Sequence, residues 1–363
     1  MKILKIIFFN ILIFCSLFAI LEVSWRVTLT IKNYNIPVIN YFGKTWYRMS
    51  TPELGKFDAL LIKILKPNLK IVNIDIPRYE KNSSISSDQL GFRNNLNDLI
   101  FEDNNKRILA VGDSFTFGAQ VSDQSTWPSC LEKELKIKTD NAGFGGYSAG
   151  QSIRKGIIES EKRKYSHIIW SIYFHDFERD FSKNLLILND RGNLEFNNKI
   201  KKKTEEIKKQ ENLFLRYIKE YSFIAYHFDY KLIPKLKNSF KQTQRKKQNK
   251  LYNEESFYGI DYLLVERNIK FLLEEFNKIN IDKKIMLYQY GEHFKKSPYA
   301  AKIREIIEKN SNNYDFLIID TADEFLKYDN DKLRLLWFDH HTALGNKVVC
   351  KYIVKKMKEN KFN

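Results

Sequence analysis

Cysteine is scarce in this 363-residue chain: there are three, and none stands in a CxxC pair. That spacing is what a thiolate metal site or a dithiol redox centre needs, so neither a metal nor a redox cofactor is expected. No repeat of fixed period runs through the sequence, which argues against a solenoid or propeller. The excess of base over acid is large, with a net charge of +17. Yet the lysine-rich runs "KIKKKTEEIKKQ" and "QRKKQNK" lack interleaved aromatic residues. Such runs read as solvated faces rather than a nucleic-acid surface. Hydrophobic residues make up 43% of the chain, enough for a sizeable core and too many for global disorder.

Charge is also missing from the N-terminus. Between Ile3 and Val23 only Lys5 and Glu22 are charged, both near the ends. A bilayer crossing needs ~20 mostly apolar residues, and this stretch has that length. Lys2 and Lys5 at its start favour a cytoplasmic N-terminus, with the rest of the chain outside. No small-x-small motif follows the run cleanly, so cleavage as a signal peptide is the lesser expectation. Bulky Phe14 before Cys15 argues against lipoprotein processing. Residues 1–25 are therefore expected to be a membrane anchor.

Residues 26–100 read as an irregular extension, broken by Pro37, Pro52, Pro67 and Pro77. From about residue 101 apolar runs alternate with helical patterns. "RILAVG", "KTDNAG", "HIIWSIYF", "KIMLYQY" and "FLIID" read as strands. Helices are expected at "TWPSCLEKEL", "SAGQSIRKGIIESEKRK", "VERNIKFLLEEFNKI", "AKIREIIEK" and "ALGNKVVCKYIVKKMKEN". Continuous apolar strands between helices imply a parallel sheet covered on both faces, a three-layer α/β/α domain over 101–363. Residues 177–256 break the alternation and read as a largely helical insertion. Cys130 and Cys350 fall on the expected first and last helices. Lone helical cysteines are more often buried small hydrophobes, but these two helices pack side by side in many such folds, which leaves a disulfide open.

Candidate chemistry gathers at carboxyl ends of strands, where such folds bind ligands. "GDSFTFG" follows the first strand and presents Ser114 at a strand-to-helix turn. A serine there either caps a helix or serves as a nucleophile. The elbow GxSxG is not formed around it, since Thr116 occupies the second glycine position. "NAGFGGYS" ends the second strand and offers the Gly146 N–H to an oxyanion. "YFHDFERD" ends the third with His175 and Asp176. "WFDHHTALGN" supplies Asp339, His340 and His341 before the last helix. A serine, an oxyanion donor and a late histidine together suit acyl transfer.

This ordered set resembles the SGNH, or GDSL-type, hydrolases. "GDSFTFG" resembles their first block, "NAGFGG" the second, "FHD" the third and "FDHHTALGN" the fifth. The leader "LGFRNN" with "RILAVGDSFTFGAQVSDQSTWP" looks like membrane-anchored members associated with cell-surface polysaccharides. The resemblance spans about Ser86 to the C-terminus without the insertion. It implies a flavodoxin-like sheet of five parallel strands, Ser114 as nucleophile, and an oxyanion hole from Ser114, Gly146 and His175. It implies no cofactor. Two positions depart from the pattern. His175 stands where the third block has asparagine; a neutral imidazole still donates one N–H. Trp337 stands three before His340, where the family carries an acid. His340 lies five residues before Gly345, the family's count for the base. His341 instead has Asp339 two residues back; the count to Gly345 weighs more, because it sets where the last helix starts, so His340 is the expected base.

The expected activity is hydrolysis of an acyl ester, an acetyl ester first, on a small molecule or cell-surface glycan. The alternatives are an O-acyltransferase using the same site and a catalytically inactive glycan-binding or assembly protein.

Overall fold

The structure is a computed structural model. It describes residues 2–32, 54–74, 83–101, 103, 106–198, 217–218, 221–228, 262–289 and 298–362, and Glu80, apart from Glu102. The chain divides into two compact units, residues 1–52 with 75–78 and 203–251, and residues 53–74 with 79–202 and 252–363.

In the first unit α1 runs Lys2–Lys32. Its stretch Lys5–Ile31 is long and apolar enough to cross a membrane. The helix continues beyond Val23, where the uninterrupted apolar run ends.

The second unit holds the sheet. Two antiparallel hairpins come first, β1 (Gly55–Asp58) with β2 (Ile62–Leu65), and β3 (Lys70–Ile74) with β4 (Ser83–Ser86). The expected irregular extension thus contains strands, too short and too mixed in sequence to show a clear alternation. The core is β5 (Arg107–Val111), α2 (Ser114–Phe117), α3 (Trp127–Leu135), β6 (Lys138–Asn141), α4 (Ala149–Lys162) and β7 (His167–Ile172). Next come α5 (Asp176–Ser182) and a hairpin of β8 (Leu186–Leu188) and β9 (Leu194–Phe196). This start of the insertion is therefore partly strand, with Gly192 in its turn. The short α6 (Phe223–His227) belongs to the first unit; most of the remaining insertion lies outside the described residues. The core resumes with α7 (Tyr262–Lys278), β10 (Lys283–Tyr288), α8 (Pro298–Ser311) and β11 (Leu317–Asp320). It closes with α9 (Ala322–Phe325), α10 (Asn330–Leu336), β12 (Trp337–Phe338), β13 (His340–His341) and α11 (Ala343–Glu359).

Five strands pair in parallel in the order β11-β10-β7-β5-β6. This is a flavodoxin-like three-layer α/β/α fold. Successive strand residues alternate between faces. Leu109, Val111, Ile168 and Trp170 pack with α4, α7 and α8. Ile108, Ala110, Ile169 and Leu287 pack with α3, α9 and α11. Both faces are covered, which is why the strands read as unbroken apolar runs.

Cys130 of α3 and Cys350 of α11 form a disulfide, with Cα atoms 6.0 Å apart and 220 residues between them in sequence. Reading both as unbonded hydrophobes fails because the two helices lie side by side on one face. Arg93 is a second tie. Its side chain is fully buried against Asp123, with Nε 2.8 Å from Oδ1. It also donates to the carbonyls of Phe117, Gly118 and Val121. Its backbone N–H reaches the Asn141 carbonyl at 2.9 Å. One side chain therefore fixes the turn after α2, while its backbone fixes the end of β6.

Candidate active site

The sheet changes winding direction between β5 and β7, and loops diverge there at the carboxyl ends. Ser114 opens α2 directly after β5. Asp113 is the N-cap, its carboxylate accepting the Phe115 N–H at 2.9 Å. Capping by Asp113 leaves the Ser114 hydroxyl unneeded for the helix start. Ser114 Oγ is 3.3 Å from Asp113 Oδ2 and 2.8 Å from His340 Nε2.

The late loop sets that histidine. Trp337 pairs with His341 and Phe338 with His340, so Asp339 stands alone at the tip with φ +63°. Aspartate tolerates this left-handed backbone better than most residues. The strand alternation then turns His340 and His341 to opposite sides. His341 is buried, stacked on Phe325 at 5.1 Å and edge-on to Phe115 and Trp337. The next turn is anchored by Thr342, which caps α11 by accepting the Gly345 N–H. A Cβ at Gly345 would stand 2.1 Å from the Leu336 carbonyl oxygen, so the loop closes this tightly only over glycine. That contact fixes the five-residue count back to His340.

Asp339 Oδ2 lies 3.7 Å from His340 Nδ1, outside hydrogen-bond length. Its carboxylate is more than half exposed, and Gln120 Nε2 approaches it at 3.4 Å. Trp337 is buried and stacks on Phe115 at 5.2 Å. Phe115 is the centre of an aromatic group that also takes in Tyr173 at 4.9 Å and the His340 ring at 5.1 Å. The residue after Ser114 thus braces the imidazole that faces Ser114.

Gly146 sits in the turn after β6 with φ +79° and open space around it. The Lys183 ammonium donates to its carbonyl and to Gln151 Oε1. Burial, with Arg179 nearby, pulls Lys183 down to about 8. His175 begins α5 among Phe174, Tyr173 and Tyr299, with the Phe174 ring centroid 3.7 Å away. The structure thus brings Ser114, His340 and Asp339 to one loop cluster and places His341 in the core behind it. Gly146 and His175 stand at the ends of the two neighbouring strands.

Of the charged group beneath Ser114, Asp176 is legible in the sequence and its partner Arg179 was missed. Arg179 Nη1 lies 2.6 Å from Asp176 Oδ1 and 3.5 Å from Asp113 Oδ2. Asp176 is wholly buried. Desolvation, then the neighbouring Asp113 charge, pushes its pKa well up. Arg179 opposes that rise and balances the two carboxylates. The signal was present in "DFER", which puts Asp176 and Arg179 one helical turn apart. Ser148, framed by glycines in "GYSAG", has a different role. It is fully buried and caps α4 in a reciprocal capping box with Gln151.

A hydroxyl within hydrogen-bond reach of an imidazole, at a helix start, is the geometry of nucleophilic acyl transfer. No family model and no curated protein matches the sequence. Solved structures do resemble it. A protein assigned to the lipolytic G-D-S-L family from Desulfitobacterium hafniense DCB-2 is 15% identical, covering 69% of this chain and 99% of its own, with a TM-score of 0.38. A member of the same family from Veillonella parvula DSM 2008 is 12% identical, covering 69% and 97%, with a TM-score of 0.40. A catalytic mutant of an acetylxylan esterase from Geobacillus stearothermophilus is 14% identical, covering 69% and 94%, with a TM-score of 0.38. This chain itself is a flavodoxin-like α/β/α protein with a serine–histidine pair at the switch point of its sheet.

Proposed function

We propose that the chain is an SGNH-type serine esterase, held to a membrane by α1, that hydrolyses an acyl ester. The observation that carries the reading is the 2.8 Å approach of His340 Nε2 to Ser114 Oγ. His340 takes the Ser114 proton as Oγ attacks the ester carbonyl. The alcohol leaves with that proton, and the acyl group stays on Ser114. His340 then deprotonates a water, which attacks the acyl-enzyme and frees the acid and Ser114. The Ser114 and Gly146 N–H groups, with a His175 N–H, serve the tetrahedral oxyanion; one such donor is worth ~3–4 kcal/mol. Asp339 supports the imidazolium electrostatically from the loop tip, and the buried His341 has no chemical step.

An acetyl group on a cell-surface glycan is the substrate this reading favours. The membrane anchor and the leader motif support it. The Cys130–Cys350 disulfide supports an extracytoplasmic location, because such bonds persist in oxidising compartments. The test is hydrolysis of p-nitrophenyl acetate by the full chain in detergent, with Ser114→Ala as control. A fluorophosphonate probe should label the wild type alone. Equal labelling of both forms, or equal turnover, sinks the assignment.

A further inference from the structure

Most of α1 is bare: Phe8, Phe14 and Leu21 are 60% exposed or more. The covered positions toward its end are Glu22, Arg26, Thr28, Leu29 and Thr30, of which all but Thr28 share one helical face. Among the described residues, the segment 221–228 packs on the polar pair. Glu22 accepts from Ser222 Oγ at 2.8 Å and from the N–H groups of Phe223 and Ile224 at 2.7 and 3.1 Å. Arg26 Nε sits 2.8 Å from Glu22, and its Nη2 donates to the Tyr221 carbonyl. The guanidinium lies 4.8 Å over the Phe223 ring, and that ring is fully buried. The Trp25 and His227 rings meet edge-on at 5.5 Å.

Length sets the level of this cluster. The apolar stretch Lys5–Ile31 has 27 residues, which is about 40 Å of helix. The hydrocarbon core takes about 30 Å, or roughly 20 residues. Counted from Lys5, the core is used up near Ser24. Glu22 and Arg26 then stand at the far boundary, where charged groups and aromatic rings are favoured. Trp25 stands there too, and the attached segment adds the rings of Tyr221, 42% exposed, and Phe228, 54% exposed.

We infer that residues 221–228 form a membrane-surface element, seated on α1 through Glu22 and Arg26, with the exposed Tyr221 and Phe228 rings at the level of the phospholipid headgroups. The inference rests on the reading of α1 as an anchor and deepens it. Cleavage after the apolar run would strip Ser222, Phe223 and Ile224 of the carboxylate they share, so the inference requires that the helix be retained in the mature chain.

The test uses the full chain in phosphatidylethanolamine–phosphatidylglycerol vesicles. A nitroxide is placed at Phe228→Cys in a Cys15→Ser background, and its accessibility to oxygen and to a water-soluble nickel complex is measured. The reference is a label at Leu188→Cys on the β8–β9 hairpin. The expected result is an oxygen-to-nickel ratio at residue 228 several-fold above the reference, falling toward it when Glu22→Ala is added. A ratio equal to the reference overturns the inference. Screening from both reagents overturns it as well, because a protein partner then covers the rings. Intact mass supplies a measurement independent of the variants: the membrane-extracted chain should retain residue 22, and a mature form lacking it overturns the inference. Turnover of p-nitrophenyl acetate on the same vesicles separates the two readings. An inactive chain with a headgroup-level label fails the esterase reading alone, and an active chain with a water-exposed label fails this one alone.

Discussion

His340 Nε2 and Ser114 Oγ stand 2.8 Å apart across 226 residues of sequence, while the adjacent His341 is stacked against Phe325 in the core. Two substitutions one residue apart should therefore fail differently. His340→Ala is expected to lower kcat by at least ~1,000-fold with little change in melting temperature. His341→Ala should cost about 2–4 kcal/mol of stability through the cavity it leaves, with turnover down at most ~10-fold. Steady-state kinetics and thermal unfolding of both variants check this. A dead His341→Ala beside a near-normal His340→Ala would reverse the assignment.

The disulfide predicts a thiol count. The unfolded, unreduced full chain should show one free thiol, from Cys15, and three after reduction. A bond closing a loop of this length stabilises by roughly 5 kcal/mol in the chain-entropy picture. Reduction should lower the melting temperature by many degrees. Three thiols without reductant would show that the bond is absent.

Arg93 is far from neutral ground for substitution. Arg93→Ala leaves Asp123 buried without its guanidinium and frees three carbonyls behind Ser114. The expected cost is about 3–5 kcal/mol. The double variant Arg93→Met with Asp123→Leu should recover part of it, since the uncompensated charge is gone. If Arg93→Ala unfolds at the wild-type temperature, the strap is not structural.

His167 gives the fold an acid-sensitive point. It is buried, with Nε2 2.7 Å from the Phe362 carbonyl, and burial pushes it down to about 4. Between pH 6.5 and 4 the unfolded chain binds a proton here that the folded chain does not. Stability should fall as pH drops through that window, by about 3 kcal/mol at most. Asp180 and Asp320 are raised to about 6 by burial and tilt the profile the other way over part of the range. Comparing wild type with His167→Gln isolates the histidine. The variant should lose less stability from pH 7 to pH 4, and an unchanged difference refutes the assignment.

The sheet was legible because its strands are buried on both faces. "RILAV", "HIIWSI" and "KIMLY" carry that burial as unbroken apolar runs. The hairpins around Leu61 and Gly192 were not, since short, partly exposed strands of mixed residues leave no period to read. The nearness of Ser114 and His340 follows from strand order and the close pass of Gly345 under Leu336. The count to Gly345 favoured His340 over His341, but the backbone that turns it to the serine depends on a single tip residue, Asp339, in a left-handed conformation. Composition carries no such signal. Arg93 was visible within "LGFRNN", but its meaning lies in three carbonyls far along the chain. Long-range pairing of that kind has no local signature.

The covalent clasp also imposes an order in time. Cys130 is made 220 residues before its partner. At roughly 5–20 residues per second of synthesis, its thiol waits on the order of ten to forty seconds. Ser114 waits about as long for the loop that bears His340. During that interval the sheet's first strands exist without the helix that covers one face or the bond that secures it. Maturation of the reactive centre and closure of the covalent ring thus belong to the same late moment in the life of the chain.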